Sequence, residues 1–434
     1  MTIARRQHTV TTALTHFLFL SIFCGLFSCG DKYNSKLEDK SVSATTSITI
    51  GIIDTISSAV LGEKRALWIS VPDSMPGPGW SCNKKGFPVL YLLDAPSNFQ
   101  SVVGILRAMS RDEWNSMAPQ MIVVGIPNTN RLRDLSPTRV VAAPGMNSEA
   151  LKQSGGGENF SKFLETELFP YIEQRYKTVP CRILVGHSMG GLFSMYELVN
   201  HPELFNAVIS IDPAVYWDKE KIIEQTANAI EADKLKGRSL FVAMAHNWQS
   251  EMDSAQLRRD TSEHTMASRA VQRLIDVLEK NKSSLHWSYK YYDNENHASV
   301  PHPATYDGLR FLFREYMMPG YNDLVRKEFD VKGEIERNYQ TLSQNLSFSF
   351  APSEASLYLP IFSFLNNENN PDRALPLIEM MLKYYPDLYS NWAMGQYYEM
   401  KGDKKAAIKY VSEAIRYFPA DFAEQKLKDL KSSK

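Results

Sequence analysis

Short unbroken apolar runs alternate with helical spacing along the first three-quarters of this chain. "FPVLYLLDA" (Phe87–Ala95), "MIVVGIP" (Met121–Pro127), "RILVG", "AVISIDP" (Ala207–Pro213) and "SLFVAMA" (Ser239–Ala245) are such runs. Each carries the mark of a strand buried on both faces. "SITIGIID" and "KRALWISVP" also read as strands, and the more alternating "HWSYKYYD" (His286–Asp293) suits an outer strand. Between them, "NFSKFLETELFPYIEQRY" sets Phe163, Leu164, Leu168 and Ile172 at helical spacing, and "ASRAVQRLIDVLEKN" does so with Val271, Leu274, Ile275 and Leu278. Strands alternating with helices predict an α/β fold with a mostly parallel sheet covered on both faces.

Near residue 320 the pattern changes, and only helical spacing follows. "MGQYYEMKGDKKAAIKYVSEAIRYFP" fits the tetratricopeptide pattern, with Met394-Gly395, Tyr398, Gly402 at the turn, Ala407, Val411, Ala414 and Pro419. A second copy lies 33 residues upstream, where Ala374 matches Ala407, Ile378 matches Val411 and Pro386 matches Pro419. The expected organisation is a tether over 29–44, an α/β domain over 45–322, a helical connector over 323–350 and a small all-α repeat domain over 351–434. The repeats are a candidate surface for a protein partner, although two of them offer little concave area. Bracing of the α/β domain is the alternative reading.

Chemistry concentrates at "RILVGHSMGGLFSMYEL". G-x-S-x-G alone is a weak signal. Here it follows a buried strand and opens a helix, the context in which a tight turn lifts a serine hydroxyl above the sheet edge. Ser188 is therefore a candidate nucleophile. A serine needs a base, and His297 sits in the polar loop "YYDNENHASVPHP" just past the last strand, with His302 as its near rival.

Six segments in order, "FPVLYLLDA", "NTNRLRDLSPT", "ENFSKFLETELFPYIEQRY", "ILVGHSMGGL", "HPELFNAVISIDPAVYW" and "ENHASVPHPATYDGLRFLF", resemble the putative esterase family of α/β-hydrolases, which includes enterochelin esterase-like and esterase D-like enzymes. The resemblance covers roughly residues 45–320. It implies an α/β-hydrolase fold and cofactor-free hydrolysis of small-molecule or sugar esters by a Ser-Asp/Glu-His arrangement. Carried over, Ser188 is the nucleophile and His297 the general base. The acid is expected after "SLFVAMA", with Asp260 preferred, Glu263 next, and Glu251 and Asp253 also available. Each of these carboxylates can equally be a solvated helix start. The oxyanion hole implied by the family takes Met189 N–H and a donor from the loop after "YLLD". Relatives carry Asp-Gly there, whereas this chain has Asp94-Ala95-Pro96, and proline has no N–H. The second donor is then Ala95 or Ser97. Arg131 and Arg133 are candidates for binding an anionic or polyhydroxy substrate, or for holding a loop through carboxylates. Trp217 either walls the pocket or is structural. Acyl transfer on the same site, and a catalytically weak platform whose repeats bind a partner, are the alternative functions.

The amino terminus reads separately. Arg5 and Arg6 precede the apolar run Phe17–Phe27, a basic start and a hydrophobic stretch shorter than a bilayer span. The run ends in "LFSCG", which resembles the lipobox of bacterial lipoproteins and implies cleavage after residue 28 with lipid on Cys29. A simple secretory signal is the alternative. Either way, export is expected, to the periplasm or as an outer-membrane lipoprotein of a Gram-negative cell anchored through Cys29. A net charge of −1 gives no case for nucleic acid, and no CxxC or HExxH spacing suggests a metal. Export would leave Cys82 and Cys181 where disulfides persist. In the implied fold they stand at one end of neighbouring strands, so a bridge between them is expected.

Overall fold

The computed structural model describes residues 47–432 apart from 73–85, 111–115, 144–145, 250, 282–283, 321–322, 324–325 and 327. Eight strands form a single sheet in the order β1-β2-β4-β3-β5-β6-β7-β8. They are β1 (Ile52–Ser58), β2 (Glu63–Ser70), β3 (Phe87–Leu93), β4 (Ile122–Ile126), β5 (Thr178–His187), β6 (Ala207–Ile211), β7 (Ser239–Ala245) and β8 (His286–Tyr292). Only β2 runs against its neighbours, pairing antiparallel with β1 and β4, while β4, β3, β5, β6, β7 and β8 are mutually parallel. β1 therefore runs in the same direction as the inner strands. It begins at Ile52, near the end of "SITIGIID", and runs on to Ser58, while Ile48 is 93% exposed. Its pairing with β2 runs from Ile52↔Ile69 to Ser58↔Glu63, so the register is set by the hairpin turn and not by the apolar residues upstream.

The apolar runs are continuous because each strand feeds two cores. On β5, Ile183 and Val185 face one core and Leu184 the other; on β7, Phe241, Ala243 and Ala245 face the first and Leu240, Val242 and Met244 the second. The helices Ala95–Met109 and Pro301–Leu312 cover the first face. Helical segments within 157–175 and the helices Met189–Asn200, Trp217–Glu231 and Met266–Lys280 cover the second.

The helical tail extends the first core. Phe313, Tyr316, Ile335, Tyr339, Leu342, Leu346 and Phe350 belong to the same apolar cluster as the strand residues. At about 1.5–3 kcal/mol for each fully buried large side chain, this seam is a substantial part of the fold. Polar contacts fix its position: Asn206 Nδ2 donates to Leu346 O at 2.7 Å, Ser239 Oγ to Asn345 O at 2.8 Å and Ser347 Oγ to Gly237 O at 2.9 Å. Asn206, Gly237 and Ser239 lie at the starts of β6 and β7, so the helix Val331–Asn345 meets the amino edge of the sheet. Farther along, Ala374, Ala407, Ile378 and Val411, the matched positions of the two repeat copies, are all buried. Gly395 is required where the helices Leu388–Met400 and Lys404–Tyr417 meet, because a Cβ there would stand 2.7 Å from Val411 Cγ2.

Cys181 is a free, buried thiol at the start of the core part of β5, and burial pushes it up to about 12. The expected bridge is thus absent at Cys181; its proposed partner, Cys82, lies outside the described residues, as do Cys29 and the amino-terminal run.

Candidate active site

The turn after β5 is built by sterics. A Cβ on Gly186 would lie 2.1 Å from Gly190 O, so only glycine lets the strand end and the helix start come this close. Ser188 occupies φ 60, ψ −116, a conformation costly for a residue with a side chain. It is held there by Ser188 N–H donating to Ile211 O at 2.9 Å and by Leu192 and Ala214 N–H donating to Ser188 O. Asp94 after β3 (φ 53) and Asp212 after β6 (φ 40) also have positive φ. Strained non-glycine residues thus sit at the carboxyl ends of three neighbouring strands.

The strand ends converge on one constellation. His297 Nε2 lies 3.0 Å from Ser188 Oγ, and His297 Nδ1 lies 2.5 Å from Asp212 Oδ2. Asp212 is buried, whereas the His297 side chain is half exposed. A proton on Nδ1 directed at the carboxylate leaves Nε2 with a bare lone pair facing the serine hydroxyl. Asp212 Oδ1 accepts from Ala245 N at 3.1 Å, and Oδ2 accepts from Asn247 Nδ2 at 2.6 Å. The His187 ring packs on the His297 ring with centroids 4.4 Å apart. Burial, with the neighbouring His297 second, pushes His187 down to about 4, so it is neutral at ordinary pH.

The carboxylate differs from the sequence expectation. Asp260 is not at this site; it accepts from Ser262 Oγ and Thr265 Oγ1, both at 2.5 Å, and pairs with Arg269. Those hydroxyls are the first cause that holds it below the usual carboxylate range. It staples a local turn at the C-cap of the helix Ser254–Arg259, and so is not the helix-start carboxylate set beside the catalytic role above either. Asp253 is likewise a cap, accepting from Gln256 N and closing a capping box. The sequence did carry a signal for Asp212: it is the charged residue that ends the wholly buried run "AVISI" on the strand next to the nucleophile strand.

Arg131 and Arg133 hold loops. Arg131 forks onto Asp94, with Nε to Oδ1 at 2.7 Å and Nη2 to Oδ2 at 2.9 Å, and Nη2 also donates to His187 O at 3.1 Å. It therefore ties the loop after β3 to the nucleophile turn. Arg133 binds Glu63 and Asp134, and the buried Arg65 joins the same carboxylates. Trp217 is buried, with Nε1 donating to Thr138 O at 3.1 Å, and so does not wall an open pocket. At the loop after β3, Ser97 N–H is spent on Asp94 O at 3.2 Å. Met189 and Ala95 each open a helix, where the first N–H groups lack intrahelical acceptors. Among the described residues no cluster of three or more His, Cys, Asp or Glu is arranged to hold a metal.

A family model described as "Putative esterase" matches residues 58–298, more than half of the chain and the whole of the constellation just described. The chain belongs to this esterase family. It is 30% identical over 189 residues to the ferri-bacillibactin esterase BesA of Bacillus subtilis, a match covering 41% of this chain and 63% of that protein. The chain thus spans less than two thirds of that relative's length. Among solved structures, an IroE-like serine hydrolase from Shewanella oneidensis superposes with TM-score 0.63 at 28% identity, covering 77% of this chain and 99% of that one. An uncharacterised protein from Capnocytophaga ochracea superposes with TM-score 0.59 at 17% identity over 88% of this chain and 99% of its own, a likeness of fold alone.

Proposed function

We propose that this esterase-family protein is a serine carboxylic ester hydrolase that works through an acyl-enzyme. The observation that carries the reading is the continuous chain Ser188 Oγ, His297 Nε2, His297 Nδ1, Asp212 Oδ2, with links of 3.0 and 2.5 Å at its two ends. Ser188 Oγ attacks the ester carbonyl carbon as its proton passes to His297 Nε2. The resulting imidazolium faces the Asp212 carboxylate, which is its counter-charge. Met189 and Ala95 N–H are assigned to the developing oxyanion, because Ser97 is already engaged and Pro96 has no donor. His297 then protonates the leaving alcohol oxygen. In the second half, water gives a proton to His297 as it attacks the acyl carbon, and that proton returns to Ser188 Oγ when the acid departs.

Two named relatives act on siderophores, a ferri-bacillibactin esterase and a siderophore triacetylfusarinine C esterase. On that basis a siderophore-type ester is the first substrate class to try. The basic start, short apolar run and lipobox-like "LFSCG" support export with lipid on Cys29; incorporation of labelled fatty acid that stops in Cys29→Ala tests it.

For the chemistry, a fluorophosphonate probe should label the protein once, on Ser188, and Ser188→Ala should lose both labelling and aryl-ester hydrolysis. Folded wild-type protein that neither reacts with the probe nor cleaves any aryl or siderophore ester would overturn the reading. Hydrolysis that persists in Ser188→Ala would place the nucleophile elsewhere.

A further inference from the structure

The carboxyl end of β7, where the sequence expectation placed the acid, carries an amide. Asn247 Nδ2 donates to Asp212 Oδ2 at 2.6 Å, and Asn247 Oδ1 accepts from the His297 main-chain N–H at 2.8 Å. One side chain thus grips the acid from β6 and the backbone of the loop that bears the base. The Asp212 oxygen it binds is the one that receives His297 Nδ1.

These partners dictate the amide's orientation. Turned over, it would set its NH2 against the His297 N–H and its oxygen against a carboxylate. They also dictate its identity. A carboxylate at 247 would keep the bond to His297 N–H but meet Asp212 Oδ2 charge to charge at hydrogen-bond distance, where two carboxylates cannot both stay ionised. The loop has need of such a grip. Residues 293–299 contain no helix or strand, and the His297 side chain is half exposed, so packing alone does not fix the ring. A second tie between the same segments supports this reading: His246 N donates to Glu295 O at 2.8 Å.

We infer that Asn247, just past the end of β7, is a positioning residue that sets the Asp212–His297 pair. The inference rests on the catalytic reading above for its kinetic consequence, but not for its structural one. Asn247→Ala should lower kcat for an aryl ester by about 10- to 100-fold while KM stays within about 2-fold, a loss of roughly 1.4–2.8 kcal/mol in the chemical step. Asn247→Asp, isosteric with the native residue, should lose at least as much at neutral pH; a side chain that only filled space would tolerate it. The activity-independent readout is the downfield imidazole proton of His297, assigned by its disappearance in His297→Gln. It should broaden or shift in both variants while circular dichroism stays native. Both variants within about 3-fold of wild type, with that proton unmoved, would overturn the inference. If wild-type protein hydrolyses nothing, the catalytic reading falls, and the proton resonance still decides whether Asn247 holds the pair.

Discussion

Asp212 and Asp260 make a controlled comparison of two aspartates. Asp212 is buried, turns through a positive φ and faces His297; Asp260 sits in a hydroxyl-lined turn away from the serine. Asp212→Asn keeps the shape but removes the counter-charge and the acceptor that fixes the His297 tautomer. It should lower kcat about 10³- to 10⁴-fold. Asp260→Asn should leave kcat within about 2-fold, and steady-state kinetics of the two variants against one aryl ester separates them. Position in the chain could not make this choice, because both residues fall between the serine and the histidine. Ser188 and His297 were legible, the first from strand–glycine–helix context and the second from its loop after the last strand. The acid was not, because which strand end supplies it depends on how neighbouring strands turn at their carboxyl ends. The arginines illustrate the same limit. Their residue type announces carboxylate or phosphate recognition, and only packing reveals that the carboxylates belong to the protein itself.

At the scale of elements, the helix Met189–Asn200 does two jobs: it presents the serine at its start and buries a titratable group near its end. Glu197 is fully buried, accepts from Ser161 Oγ through Oε1, and has no partner at Oε2 among the described residues. Burial pushes it up to about 8, against the opposing pull of the Ser161 bond. In the unfolded chain the same carboxyl ionises near its ordinary value of 4.5. Between those two values the unfolded state binds fewer protons than the folded state, so this group's contribution to stability falls as pH rises through that window. Glu197→Gln removes the term. The drop in Tm between pH 5 and pH 8 should shrink by about 1 °C for each kcal/mol recovered, measured by calorimetry on both proteins. The elements themselves were legible because a strand facing two cores must be apolar at every position. β1 was begun too early because it is an edge strand, where Ile52 and Ile53 are exposed and apolar character no longer reports burial.

Seen whole, the molecule does not divide where its sequence character changes. The apolar cluster beneath the sheet runs without interruption from Ile183 and Phe241 through Phe313 and Tyr339 to Leu357, Ile378 and Met381. A chain ending at Met318 would uncover Phe313 and Tyr316 and lose the bonds from Asn206 and Ser239 to the tail. It should aggregate or bind a hydrophobic dye, whereas the full-length protein should melt in one transition across both regions, as scanning calorimetry would read. Soluble, fully active protein ending at Met318 would refute this. The helical character of the tail was legible from its 33-residue period. Its fusion to the sheet was not, since a helix that faces another helix and one that faces a sheet carry the same apolar stripe. The direction of β1 carries a last consequence. Its first residue, Ile52, stands at the amino edge of the sheet, where the helix Val331–Asn345 also docks, so the opposite, carboxyl edge that carries Ser188 is left clear of both.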